Sequence, residues 1–200
     1  MRHLKGFKMV LKIISPCLTA VILFISSINA FAAPWKADPK HTFVQFSVQH
    51  LGILPYYGRF KKAEIHLDYD RQNAENSSVK VKISIKSLET DDGLMNEILV
   101  GDQFFDAQNF PYMTFTSTRI VRKSDNTGHV EGELELKGKK RPVIFKAQFN
   151  GEAKHPFTGS PIIGIQAEAT INRRDWGLSA WRAFVSNEVT IKIAFEASPK

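Results

Sequence analysis

Apolar and polar side chains alternate along most of this chain with a period of two, the signature of strands with one wet face. Val44, Phe46 and Val48 alternate with Gln45, Ser47 and Gln49, and His50 continues the apolar parity. Leu51-Gly52 then leaves the strand, Leu54 to Tyr57 forms an aromatic loop, and Gly58-Arg59-Phe60 starts a new strand. Ala63, Ile65, Leu67 and Tyr69 follow in a second phase, so Phe60 predicts a bulge or bend near Lys61-Lys62. Further alternating rows begin at Val79, Met113, Val130, Val143, Ile163 and Val189, separated by turn signals such as Asp125 to Gly128 and Asn150-Gly151. Eight one-faced strands result.

On pattern alone, a two-sheet sandwich and a closed antiparallel barrel are equally good solutions. Closure would remove the edge strands, and eight strands enclose room for one small ligand. Gly132, Ala147, Ala167 and Ala169 are small inward positions that would leave space beside the phenylalanines. One stretch breaks the rhythm. Ser87 to Gly101 predicts a short helix over about 91–100, capped by Thr90 or Asp91 and ended by Gly101. Phe104, Phe105 and Phe110 follow at once and would lid one end of a barrel.

The first 32 residues read differently. Arg2, Lys5, Lys8 and Lys12 precede the apolar run Ile13–Ile28, and Ala30-Phe31-Ala32 gives a small-x-small cleavage pattern. A cleaved signal peptide over 1–32 and one domain over 33–200 are expected, with export to a periplasm. The alternative, a single membrane anchor, is diluted by Ser15, Pro16, Ser26, Ser27 and Asn29. Four of the 27 basic residues lie in the leader, which leaves a small excess over the 20 acids and argues against a nucleic-acid partner. Cys17 is the sole cysteine, so the mature domain must be held by its core.

Catalytic signatures are missing from the sequence. It has no Cys-x-x-Cys, His-Glu-x-x-His or Gly-x-Ser-x-Gly run, and its histidines lack zinc spacing, although His41 and His50 could meet across a turn. The candidate residues instead suit a greasy pocket. Phe46, Val48, Phe104, Phe105, Phe110, Phe115, Phe145, Phe149, Trp176 and Trp181 are candidate lining residues. Singly, each fits core packing better, but together they exceed what a tightly filled small barrel needs. His50, Arg173 and Asp175 are polar candidates at the mouth, where a head-group carbonyl or phosphate would accept a hydrogen bond. The bland alternative is a buried Arg173–Asp175 pair that ties a loop to the wall. Tyr57, with Tyr56 beside it, is a candidate gate.

The stretches DPKHTFVQFSVQHLGILPYYGRF, LETDDGLMNEILVGDQFFDAQNFPYMTFTS, LELKGKKRPVIFKAQF, INRRDWGLSAW and VTIKIAFEA resemble the YceI-like family. The resemblance implies an all-β, eight-stranded antiparallel, lipocalin-like barrel with a long hydrophobic cavity. It also implies a polyisoprenoid or quinone-like lipid as the bound molecule, with no other cofactor. Asn96-Glu97 replaces an Arg-Asp pair often found in the helical insert, and Trp176 stands where the family usually has Phe. The function expected is periplasmic binding, storage or transport of a long-chain isoprenoid or related amphiphile. A packed barrel that meets a membrane-associated redox partner and an enzyme acting on an isoprenoid tail are the competing classes, and a homodimer is an open assembly.

Overall fold

The computed structural model describes residues 33–200; the leader and its cleavage point lie outside them. Ten strands and one helix follow in order: β1 (Ala33–His50), β2 (Leu54–Phe60), β3 (Ala63–Tyr69), β4 (Ser78–Ser84), β5 (Leu88–Glu89), α1 (Gly93–Val100), β6 (Tyr112–Arg122), β7 (Thr127–Leu136), β8 (Lys139–Lys154), β9 (Pro161–Asn172) and β10 (Val185–Pro199). All pairings are antiparallel. The ring β1-β3-β4-β6-β7-β8-β9-β10 closes because β10 returns to pair with β1. Alternation alone left sandwich and barrel open and the family resemblance implied the barrel; the pairing of β10 with β1 closes it, and every pairing of the ring lies within residues 33–200.

The long strand β1 makes closure possible by serving two neighbours. Its first residues, Ala33–Lys36, pair with β3, while Val44–His50 pair with β2. Between them the register against β10 slips from Ala37 to Thr42. Pro39 has no N–H for the ladder, and Asp38 organises the bulge instead. Asp38 accepts from the Lys40 N–H at 2.9 Å and contacts His41 Nδ1 at 2.7 Å. His41 and His50 therefore sit on one strand about 30 Å apart at an ordinary rise, and do not meet. The predicted bend at Lys61-Lys62 separates β2 from β3.

Antiparallel succession sorts the connections to two ends. The upper end carries the β1–β2 turn, α1, the Leu136–Lys139 turn and the 173–184 segment. The lower end carries the loops 70–77, 123–126 and 155–160. Buried Val44, Ile65, Leu67, Val81, Phe115, Phe145 and Ile171 face inward from successive strands. The interior they surround is nevertheless hollow.

Helix α1 starts two residues later than expected. Asp92 is its cap, accepting from the Leu94 and Met95 N–H groups, and Gly101 ends it. Asp91 cannot serve, since its φ of 61° already commits it to the turn. The helix is moored through Asn96, whose side chain accepts from Thr90 N–H at 2.8 Å and donates to Glu89 at 2.9 Å. Glu89 also takes the Lys61 ammonium at 2.6 Å. The Lys61 contact, then Asn96 and the Asp91 N–H, hold the Glu89 carboxyl down at about 2. Asn96 thus makes a definite polar contact, though with the protein's own strand.

Candidate functional site: a two-chambered apolar cavity

The upper half of the barrel holds a cavity of about 600 Å³, within the range of roughly 300–1,000 Å³ usual for small-molecule sites. Its wall follows from strand register. Val48 pairs with Tyr56 on one side and Val189 on the other, and Val189 pairs with Ile171. These four inward residues form one row across four strands, and all line the cavity. One level deeper, Phe46 lies over Gly58; a Cβ there would come within 2.2 Å of the Phe46 ring. Gly58 is thus the reason a phenyl ring fits against the wall.

Aromatic side chains continue around the chamber. Phe46 meets Phe60 at 5.7 Å, and Phe60 meets Phe105 edge-on at 5.8 Å. Phe104 meets Trp181 edge-on at 5.2 Å. Lys137 fixes the Phe104 segment by donating to the Asp102 and Phe104 carbonyls at 2.7 and 2.8 Å. Met95 and Leu99 of α1 complete the roof.

A second cavity of about 330 Å³ lies in the lower half. Ala147, Ala167, Tyr69 and Phe149 line it, and Tyr69 stacks on Phe149 at 6.3 Å. The small residues at 147 and 167 create this space. Val81, Phe115, Phe145 and Ile193 belong to the walls of both chambers and form the waist. There Phe115 and Phe145 meet edge-on at 5.1 Å. Gly132 does not widen the lumen: a Cβ at that position would lie 2.5 Å from the Phe115 ring, which already fills the space.

The structure gathers most of the sequence candidates. Phe46, Val48, His50, Phe104, Phe105, Phe115, Phe145, Arg173 and Trp181 border the upper cavity, and Phe149 the lower. Four do not join them. Tyr57 is exposed, because its pairing with Ser47 turns it outward; Tyr56, paired with Val48, is the residue that faces in. Phe110 packs over Gly138 in the β7–β8 turn. Trp176 is buried, donating its indole N–H to the Leu134 carbonyl at 3.1 Å. Asp175 is exposed on the turn Arg173–Trp176, which breaks strand parity.

The expected Arg173–Asp175 pair is accordingly absent. Arg173, buried against the wall, donates instead to the carbonyls of Ser186 at 2.9 Å, Leu178 and Ala180 at 2.8 Å each, and Val185 at 3.4 Å. It makes no salt bridge among the described residues. Burial, and secondarily the neighbouring Arg174 charge, push its pKa below the ordinary value. The guanidinium stitches the 177–184 loop to β10. Tyr56 Oη and Asn187 Oδ1 are enclosed without hydrogen-bond partners. Asn187 sits where β10 bulges, between the Val48–Val189 and His50–Val185 pairings.

Sequence reasoning missed Tyr56, Met95, Leu99 and Phe184 as wall residues. Tyr56 was findable, since it shares parity with Phe60. Phe184 was not, because it lies in a non-repeating loop.

A small closed β-barrel with an internal apolar cavity, its roof made by a short helix and an aromatic loop, is the architecture of a lipocalin-like binding protein. The YceI-like domain family model matches residues 35–197, and the chain belongs to that family. A UPF0312 protein of Photorhabdus laumondii is 34% identical over 181 residues, covering 90% of this chain and 93% of its own. Protein YceI of Salmonella arizonae is 31% identical, with coverages of 89% and 93%. Among solved structures, the Campylobacter jejuni YCEI protein superposes with a TM-score of 0.70 at 29% identity, covering 76% of this chain and 90% of that one. A polyisoprenoid binding domain from Saccharophagus degradans has the same fold, with a TM-score of 0.62 at 14% identity and coverages of 85% and 99%.

Proposed function

We propose that this protein binds a long-chain isoprenoid, or a related amphiphile such as a prenylated quinone, inside the barrel, and stores or carries it in the periplasm. The observation that carries the reading is the apolar upper chamber meeting, at a common waist, a lower chamber whose lining mixes apolar side chains with Asp70, Arg71, Arg122 and Asp125. A tail gains roughly 0.8 kcal/mol for each buried methylene-sized group, so about ten groups supply ~8 kcal/mol before ordering costs. The wall alone can thus hold such a molecule, and chain length matters more than head-group chemistry. The polyisoprenoid-binding neighbour supports the choice of ligand class. The leader pattern in residues 1–32 supports export. Binding without turnover is the role this reading assigns; Arg173, the one buried cation in the wall among the described residues, is already engaged by backbone carbonyls.

Organic extraction of the purified protein followed by mass spectrometry tests the proposal. A long-chain isoprenoid or amphiphile is expected at near-stoichiometric yield. Repeated recovery of none, together with failure to bind an added prenylated quinone, overturns it. Phe149→Arg places a cation in the lower chamber and should weaken long-tailed ligands about tenfold with little change for short ones. Unchanged affinity for long tails removes Phe149 from the ligand's path.

A further inference from the structure

The exposed apolar side chains are unevenly placed. Leu51, Ile53 and Leu54 project from the β1–β2 turn, Leu94 from α1, and Trp181 and Phe184 from the loop before β10; Ile53 and Leu94 are 82% and 69% exposed. All three segments border the upper cavity. His50 and Tyr56 flank the first, Met95 follows Leu94, and Trp181 and Phe184 belong to the wall itself. The Leu51 N–H donates to the Phe184 carbonyl at 2.7 Å, so two of the segments are fastened to each other. Leu51 and Trp181 have φ of 53° and 54°, a left-handed conformation strained for residues with a side chain. In the lower-end loops Phe157 is the single large exposed apolar residue among those described.

Exposed apolar patches of this extent mark interaction sites. Two features indicate the kind of partner. Trp181 and Phe184 flank Arg182, which is exposed and makes no salt bridge among the described residues. The same rim segments carry exposed Asp91, Asp92 and Glu97, so net charge does not select the surface; the aromatic rings suit the acyl edge of a phospholipid bilayer, with the Arg182 guanidinium beside them to meet a phosphate. The rim is also continuous with the cavity wall through Trp181 and Phe184. A hydrocarbon tail passing along them would not enter bulk water.

The geometry points to a membrane-docking face: the upper rim seats in the head-group and acyl boundary of a phospholipid bilayer, with the cavity opening onto it. This inference rests on the proposed cargo only for why the opening faces lipid.

Flotation of the folded unit Ala33–Lys200 with vesicles of phosphatidylethanolamine and phosphatidylglycerol tests it. The wild-type protein is expected to float. Ile53→Glu with Leu94→Glu, neither in the cavity wall, should reduce vesicle binding by about tenfold or more, and Phe157→Glu at the lower end should leave it unchanged. Circular dichroism melts identify any variant that fails to fold. An independent readout leaves Ile53 and Leu94 in place. Trp35 and Trp176 are 3% and 2% exposed, so quenching by brominated phospholipid should come from Trp181 and disappear in Trp181→Phe. No flotation, equal flotation of wild type and the double variant, or an equal loss in Phe157→Glu overturns docking. A concentration-dependent dimer that ignores vesicles assigns the rim to a second copy and also overturns it. Vesicle binding with no extractable lipid would sink the cargo proposal while leaving the docking face intact.

Discussion

The two ends of the barrel are finished in opposite chemistry. At the lower end, Asp70 accepts from the Gln72 and Asn73 N–H groups at 2.8 Å and from the Asn76 amide at 3.1 Å, and Arg71 pairs with Glu152. The Arg122 guanidinium donates to Asp125 in the turn below it at 2.8 Å. At the upper end, one cation gathers the carbonyls of a loop that leaves Trp181 and Phe184 exposed. Both devices meet the same requirement, that backbone groups leaving a sheet find partners. The lower end is closed chiefly by polar contacts, with Phe157 its single large exposed apolar side chain among the described residues.

That contrast can be broken at Arg173. Arg173→Met leaves the carbonyls of Leu178, Ala180 and Ser186 without their donor, and a loss of about 3 kcal/mol is expected. Hydrogen exchange should rise first over residues 178–186. Asp70→Asn should lower the melting temperature less and leave exchange in that segment unchanged. A uniform increase across the barrel in either variant would show that the two ends are not independent.

Acid sharpens the comparison with a smaller effect. The Glu89 carboxyl, which moors α1 at the upper end, lies at about 2 against an ordinary 4.5. A depressed carboxylate stabilises the fold above its unfolded value, and that contribution is lost as pH falls through the folded value. Amide protection in α1, measured relative to intrinsic exchange, should therefore fall between about pH 4.5 and 2, and Lys61→Met should move the onset to higher pH. Asp70 is also depressed, first by the Asn73 N–H and then by the Asn76 side chain, so the lower loop responds in the same direction. Acid exchange in α1 that is indifferent to Lys61 would dissociate the mooring from the ion pair.

The smallest effect concerns Tyr56. Its hydroxyl is enclosed and unpartnered, so Tyr56→Phe should leave the empty barrel unchanged or stabilise it by up to about 1 kcal/mol. A clear destabilisation in thermal melts would mean that the hydroxyl has a partner in solution.

The strands were legible because each has one wet face, and period-two alternation survives any tertiary context that keeps that face wet. Closure was legible only through the family resemblance, since alternation is the same in a sandwich; it depends on β1 being long enough to meet both β3 and β10. Within the site, strand residues such as Phe46, Val48, Phe115 and Phe145 were found by parity. Errors came where parity stops. Asp175 and Trp176 lie on a helical turn that resets side-chain direction, and Tyr57 was chosen over Tyr56 because β2 was read as beginning at Gly58 when it starts at Leu54. Phe110 was swept in by proximity to Phe104 and Phe105, although the turn at Gly138 claims it.

The waist between the chambers has one more consequence. Phe115 and Phe145 stand edge to face where, among the described residues, the two chambers share wall with Val81 and Ile193, and phenyl rings turn as plates. Under the proposed function, a short guest would rest above that turnstile, while a long one would hold both rings aside for as long as it stayed. The barrel would then act as a ruler, with dwell time stepping up once a guest outgrows the first room.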